Sequence, residues 1–580
     1  MPQEFDIVIR GGQVFDGSGA PPRTADVAVH GGRIARIGEV AETGREQIDA
    51  RGQIVTPGFI DIHTHYDGQV TWEHRLLPSS NHGVTTVVTG NCGVGFAPCK
   101  PDQHDILVRV MEGVEDIPEI VMTTGIPWNW ETFPEYLDSL QHRRYDIDFA
   151  AHVPHSAIRV YVMGERGERR EPATPEELQR MTDIVRDAVR AGAVGVSSSL
   201  HLGHRTVQGD PAPTVGAAPG ELLALARGLK EAGAGVFQII TDGFYGGSDA
   251  KAQMDLLRQL AQTSGRPVSY TLVQKEPYEK MYEELLALMR DACAQGLPIK
   301  GQVFPRPVGL LYGLELSVHP FRYHPSYVDI HHLPLPERVA AMRDPQRRSR
   351  ILSEQPQHSN PLYIRLVSEY DRAFELGDPP SYEPAPGMTL VERARRQGVS
   401  PAELAYDLLL RDEGQALLLN PTSNFVDGNL EAARRMMVDD NTLVALGDGG
   451  AHYGMICDSS YPTSMLTYWT RDRADGRVPL EWAVNRLTHR NAQAVGLHDR
   501  GLLAEGMKAD INVIDYRNLR LHPPRPVYDL PGGARRLTQA ADGYTAILVD
   551  GQVTYRGGKP TGALPGRLVR ATRPAAAAAP

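Results

Sequence analysis

The chain has 580 residues but only four cysteines: Cys92, Cys99, Cys293 and Cys457. So few cannot frame a chain of this size with disulfides, and the expected compartment is a reducing cytoplasm. Each cysteine is by default a small buried hydrophobe. Long apolar runs are missing too, since no segment approaches the roughly 20 residues that a membrane span needs. The N-terminal MPQEFDIVIRGG carries acids early and lacks the basic and apolar regions of a signal peptide. Positive charge is not in excess: 60 Lys and Arg stand against 71 Asp and Glu, a net charge of −11. That excludes the basic footprint of a nucleic-acid binder. The partner left by these absences is a small-molecule substrate, and a homo-oligomer is compatible with all of them.

What is present is a chain 41% hydrophobic, with Gly 57 and Pro 44, which is enough core and enough turns for many short elements. Residues 1–57 read as strands joined by Gly-Gly and Asp-Gly turns, in FDIVIRGGQVFDG, ADVAVHGGRIARIG and QIDARGQIVTPG. The pattern returns in residues 501–570, in ADINVIDY and TAILVDGQVTYRGG, so the two ends are expected to complete one small β-sandwich. Residues 571–580 are Ala/Pro-rich and read as a disordered tail.

Between them, residues 58–500 alternate strands and helices. Eight apolar segments stand out: GFIDIHTH, GVTTVVTGN, DIDFAAHVPH, AGAVGVSSS, AGVFQIIT, RPVSYTLVQ, LPIKGQVF and TLVALGD. With helical stretches such as TPEELQRMTDIVRDAVRAG between several of them, they predict an α/β fold, a distorted (β/α)8 TIM barrel. The stretch near 320–440 is too long for one crossover and reads as an insertion over the mouth.

His63 and His65 end the first segment. Alternation along a strand puts both on one side, and two neutral imidazoles there begin a divalent metal site. Asp448, in TLVALGDGGAH, ends the last segment, where a carboxylate can bind metal and accept a proton. Alone it would read as a turn residue. Cys92, in the small-residue run VVTGNCGVGF, is either a soft metal ligand or a turn cysteine. His201, His204 and Arg205 follow the fourth segment in SSSLHLGHR, His452 follows Asp448 by four, and Arg306 lies in QVFPRP. Arg205 or Arg306 is a candidate clamp for a substrate carboxylate. His452 or His204 is a candidate for orienting water or an oxyanion. His152 and His155, in AAHVPH, are weaker candidates, and for all of these a structural role is the simpler reading.

The runs PGFIDIHTHYD and GNCGVGFAP, with HLGHR, PTSNF, LGDGGAHYG and the terminal ADINVID and ILVDGQVTYRGG, resemble the amidohydrolase superfamily, and within it the N-acyl-D-amino-acid deacylase (D-aminoacylase-like) group. The resemblance spans nearly the whole chain. It implies zinc, one or two ions, with His63, His65, Cys92 and Asp448 as ligands and Asp448 as the catalytic aspartate. The sequence departs from that group at its fifth and sixth strands, where metal-binding histidines are expected. VFQIITDG and VSYTLVQK contain none, and Gln238, Asp242, Tyr270 or Gln274 stands there instead. Either His201 or His204 swings in, or Asp242 substitutes, or one metal remains.

The expected activity is therefore hydrolysis of a C–N amide bond in a small carboxylate-bearing substrate such as an N-acyl-D-amino acid, with Asp448 as general base. A cyclic amide or imide hydrolase, hydantoinase-like, is the alternative enzyme. A metal-depleted pseudoenzyme or binding protein is the alternative of another class.

Overall fold

The computed structural model describes residues 4–241 and 249–571. All eight apolar segments form strands, and they pair in parallel and in chain order into one sheet. The strands are β1 (Phe59–Asp61), β2 (Val84–Thr89), β3 (Asp148–Pro154), β4 (Gly195–Ser199), β5 (Val236–Ile240), β6 (Val268–Thr271), β7 (Ile299–Val303) and β8 (Thr442–Val444). Nearly every residue in them is buried, because helices cover one face and the other faces inward. That is why they read as apolar runs and not as alternating ones.

The sheet curls until β1 and β8 meet, and a side chain closes the seam. Asn491 Nδ2 donates to the carbonyls of Ile60 and Val444, at 2.8 and 2.9 Å. Just beyond the strands, the Asp448 N–H donates to the His63 carbonyl (3.1 Å) and the His65 N–H to that of Gly449 (2.7 Å). The result is the distorted TIM barrel, and its seam brings His63, His65 and Asp448 side by side.

Among the connecting helices are α1 (His104–Glu115), α2 (Pro175–Ala191), α3 (Pro219–Ala232), α4 (Ala250–Ser264) and α5 (Met281–Ala294). Local chemistry sets their bounds. In α2, Thr174 and Glu177 bond reciprocally to each other's backbone N–H, Pro175 opens the first turn, and Gly192 stops the helix at a φ of 117°.

Both chain ends join one nine-stranded sheet. Ile54–Pro57 pairs antiparallel with Ile511–Ile514, linking the N-terminal strands to the C-terminal ones. Ile9, Val27, Ile34, Val513 and Leu548 share a single core, so strands from the two chain ends are packed as one unit. A buried charge cluster ties it to the barrel: Asp148 of β3 receives Arg500 Nη1 at 2.6 Å and Lys508 Nζ at 3.0 Å, and Lys508 also reaches Asp510 at 2.6 Å.

The excursion between β7 and β8 has its own three-stranded sheet (Val308–Tyr312, Phe374–Glu375, Leu418–Ser423) and a separate core of Tyr312, Phe321, Leu404, Tyr406 and Leu418. Met455, seven residues beyond Asp448, packs into that core. Residues 572–580, the greater part of the Ala/Pro-rich tail, lie outside the described residues. Among the described residues no helix is long and apolar enough to cross a membrane.

Candidate metal centre

His63 and His65 leave β1 on the inner side and are buried, as alternation along a strand requires. Cys92 follows β2. Its backbone φ of 57° lies in the left-handed region, which is costly for a side-chain-bearing residue and is sustained by fixed neighbours. Its N–H donates to Gln238 Oε1 of β5 at 3.1 Å, and the next N–H, of Gly93, donates to Ser197 Oγ of β4 at 3.0 Å. Asp448, at a φ of 47°, and His452, at 50°, are held the same way on the turn after β8. Gly447 is obligatory there, since a Cβ would sit 2.0 Å from Asp61 Oδ2.

These elements converge. Ligand atoms of His63, His65 and Cys92 all lie within 4.8 Å of one another. His63 Nε2 is 3.2 Å from Cys92 Sγ, and both His63 Nε2 and His65 Nε2 are 3.6 Å from Asp448 Oδ1. A tetrahedral zinc with ligands about 2.0–2.3 Å away has ligand-to-ligand edges of roughly 3.3–3.8 Å. Gln302 of β7 fixes the imidazole of His63. Its Nε2 donates to Ser269 Oγ (3.0 Å), so its Oε1 accepts from His63 Nδ1 (2.7 Å), and the lone pair of His63 Nε2 faces the cluster.

The electrostatics ask for a cation. Burial pulls His63 down to about 4, Asp448 opposing and His65 adding to it, and burial takes His65 to about 3. Both are neutral at pH 7, which is the metal-binding form. Around them the acids crowd. Burial, with Asp448 and Asp67 nearby, pushes Glu115 well above the usual carboxylate range, and burial lifts Asp67 to about 6. Burial and the charges of Glu115, Asp448 and Asp67 hold the Cys92 thiol far above its ordinary value. Asp448 Oδ1 and His65 Nδ1 are buried without a hydrogen-bond partner among the described residues. Two imidazoles, a thiol and a carboxylate fit zinc, and a divalent ion would relieve the acids and ionise the thiol.

Of the other candidates, His204 and His452 border this cluster. Burial lowers His204 to about 3, with the fields of His452, His65 and His63 adding to it, and the ring of His201 stacks edge-on against His204 at 4.9 Å. Burial takes His452 to about 4, Asp448 opposing and His65 adding. His152 on β3 is buried and lowered to about 3 by burial and then His63. His155 points elsewhere, to Ser198 Oγ (2.9 Å) and Glu221 Oε1 (2.8 Å). Arg205 Nη1 donates to Gly209 O within its own loop (2.8 Å). Arg306 is buried and taken up by protein groups: Asp458 Oδ1 (2.9 Å), Ser460 Oγ (3.0 Å), the Cys457 carbonyl (3.2 Å) and the face of Tyr382.

At the positions where the fifth- and sixth-strand histidines are absent, only Gln238 reaches the cluster. The Tyr270 hydroxyl lies 3.7 Å from Met289 Sδ of α5, and Gln274 bonds to Asn424 and Asp427. Asp242 lies outside the described residues. Sequence reasoning missed Gln302 and Glu115, which are single polar residues in KGQVF and GVEDIP with no spacing signal.

The chain matches the model of the amidohydrolase family over residues 46–555. It belongs to the amidohydrolase family. This amidohydrolase is 36% identical over 197 residues to the D-aminoacylase of Alcaligenes xylosoxydans xylosoxydans, a stretch covering 34% of this chain and 38% of that protein. It is 38% identical over 200 residues to an N-acyl-D-aspartate deacylase of the same organism, covering 34% and 37%. The alignment thus spans well under half the length of these curated relatives. The crystal structure of an N-acyl-D-glutamate deacylase from Bordetella bronchiseptica, complexed with zinc and a phosphonate inhibitor, shares the fold, with a TM-score of 0.61 at 24% identity over 98% of this chain and 100% of that one.

Proposed function

We propose that this amidohydrolase is a zinc-dependent deacylase that cleaves the C–N amide bond of a small carboxylate-bearing N-acyl compound, with N-acyl-D-amino acids as the first substrates to test. The observation that carries the reading is the convergence of His63, His65, Cys92 and Asp448 at the barrel seam. The activities of the similar D-aminoacylase and N-acyl-D-amino-acid deacylases, as their names state them, support the substrate class.

In this reading His63, His65, Cys92 and Asp448 hold one ion. Gln238 argues against a second. With its Oε1 occupied by the Cys92 N–H, it presents only Nε2, a buried donor without a partner among the described residues, and an N–H cannot ligate a cation. When bound, zinc polarises the amide carbonyl and makes water acidic enough to lose a proton near pH 7. Asp448, whose Oδ1 would face the ion, takes that proton on its other carboxylate oxygen and returns it to the leaving nitrogen. His452 or His204, at the border of the cluster, donates to the developing oxyanion. Arg205 is the better carboxylate anchor of the two arginines, since the Nη atoms of Arg306 are already engaged by Asp458, Ser460 and Cys457.

The test is the Asp448→Ala variant, assayed for amine release from a panel of N-acyl-D-amino acids. Loss of the general base is expected to lower turnover by about 10²–10⁴-fold in folded protein. Wild-type turnover in that variant would refute the reading.

A further inference from the structure

Helix α1 ends on Glu115, whose carboxylate is 2% exposed and has no arginine or lysine in ion-pair range among the described residues. Its site is unfavourable twice over. A carboxylate in the last turn meets the negative end of the helix dipole, and burial without a cation costs further. Two histidines face it. Oε1 lies 3.5 Å from Nδ1 of His65, and Oε2 lies 3.3 Å from Nε2 of His452. The His452 N–H also donates to the Glu115 carbonyl.

The carboxylate is held in place from both sides. At Gly113 a Cβ would fall within 2.2–2.4 Å of the Arg205–Val207 backbone, so α1 presses directly on the loop that carries His204. Asp116, at a left-handed φ of 50°, accepts from the Gly454 N–H (3.1 Å) and from Ser317 Oγ (3.2 Å), which pins the chain leaving α1 to the turn of Asp448 and His452.

We propose that Glu115 is a positioning residue that couples His65 to His452: one oxygen, 3.5 Å from the otherwise unpartnered His65 Nδ1, is the group placed to take its proton when Nε2 turns to the ion, and the other faces the His452 ring beside Asp448. The proposal rests on the zinc reading above. It makes the two imidazole ligands unequal, since a glutamine amide hydrogen-bonds His63 Nδ1 at 2.7 Å while a carboxyl group stands 3.5 Å from His65 Nδ1. It also makes the metal ligand and the residue beside the reacting groups move as one unit.

The experiment uses full-length protein with Glu115→Gln, His452→Ala and the double variant, each checked for folding by circular dichroism. Zinc affinity is read by competition with a chelator, and kcat is read on an N-acyl-D-amino acid. Glu115→Gln is expected to weaken zinc binding by about 10–100-fold. His452→Ala is expected to leave zinc binding unchanged and lower kcat. The double variant is expected to have a kcat no lower than Glu115→Gln alone, the non-additivity of a coupled pair. Wild-type zinc affinity in Glu115→Gln, with kcat effects that simply multiply, would overturn the proposal. If the glutamine variant does not fold, Glu115→Asp, with its shorter reach, carries the same zinc measurement: weakened binding supports the proposal and wild-type binding overturns it. A wild type that binds no zinc would bring down the zinc reading itself, and is scored before any variant is compared.

Discussion

Replacing Gln302 by leucine removes the amide that orients His63 while nearly preserving side-chain volume. The wild-type glutamine is buried, accepting from His63 Nδ1 at 2.7 Å and donating to Ser269 Oγ at 3.0 Å. In the leucine variant the His63 Nδ1–H has no acceptor, which costs on the order of 1–3 kcal/mol for a buried polar group. The ring can escape that cost by moving its proton to Nε2, but Nε2 is the atom that faces Cys92 and Asp448, and a protonated nitrogen cannot bind a metal. Zinc affinity should therefore fall by about 10–100-fold, equivalent to about 1.4–2.7 kcal/mol. The assay is chelator competition at pH 7 on protein whose circular dichroism matches the wild type. Gln302→Glu, which restores an acceptor, should bind zinc at least as tightly as the wild type. Wild-type affinity in Gln302→Leu would refute the orientation argument.

Two further predictions concern the frame around the site. Burial works to raise Glu221, but His155 and Arg159 outweigh it and bring it down to about 2, so its contribution of about 3 kcal/mol is present above pH ~4.5 and is lost as the pH falls toward 2. Glu221→Gln should be less stable than the wild type at pH 7 in denaturant unfolding, with the gap narrowing below pH ~4.5 and closing only as the pH reaches about 2; a gap independent of pH would contradict this. Asp148, buried yet held down to about 2 by Lys508 and Arg500, is the acid that joins β3 to the terminal sheet. Asp148→Asn strands buried cations and should cost about 3–5 kcal/mol, seen as a lower apparent melting temperature; an unchanged transition would count against that link.

The barrel was legible because parallel strands buried on both faces are written as short apolar runs between glycines and prolines, and each of the eight runs became a strand. His63 and His65 were legible because alternation on a strand is rigid. The terminal strands paired as their repeated hairpin pattern suggested, within one continuous sheet. What escaped was everything that depends on which distant residue comes near. Gln302 acts on a histidine 239 positions away, and nothing in KGQVF marks it out from a core glutamine. Arg306 looked like a clamp because a sequence shows a charge but not the Asp458 and Ser460 that surround it. The excursion read as charged and proline-rich, and its core around Tyr312 and Tyr406 appears only when its distant ends fold together.

The most direct test of the central claim is a chelation and reconstitution titration, in which zinc content and hydrolysis of an N-acyl-D-amino acid are measured on the same samples. The account predicts that stripping the metal abolishes hydrolysis, and that activity returns in proportion to added zinc with its end point at one equivalent. It also predicts that His65→Ala neither retains zinc nor recovers activity. Full hydrolysis by metal-free protein, or an end point at two equivalents, would contradict it.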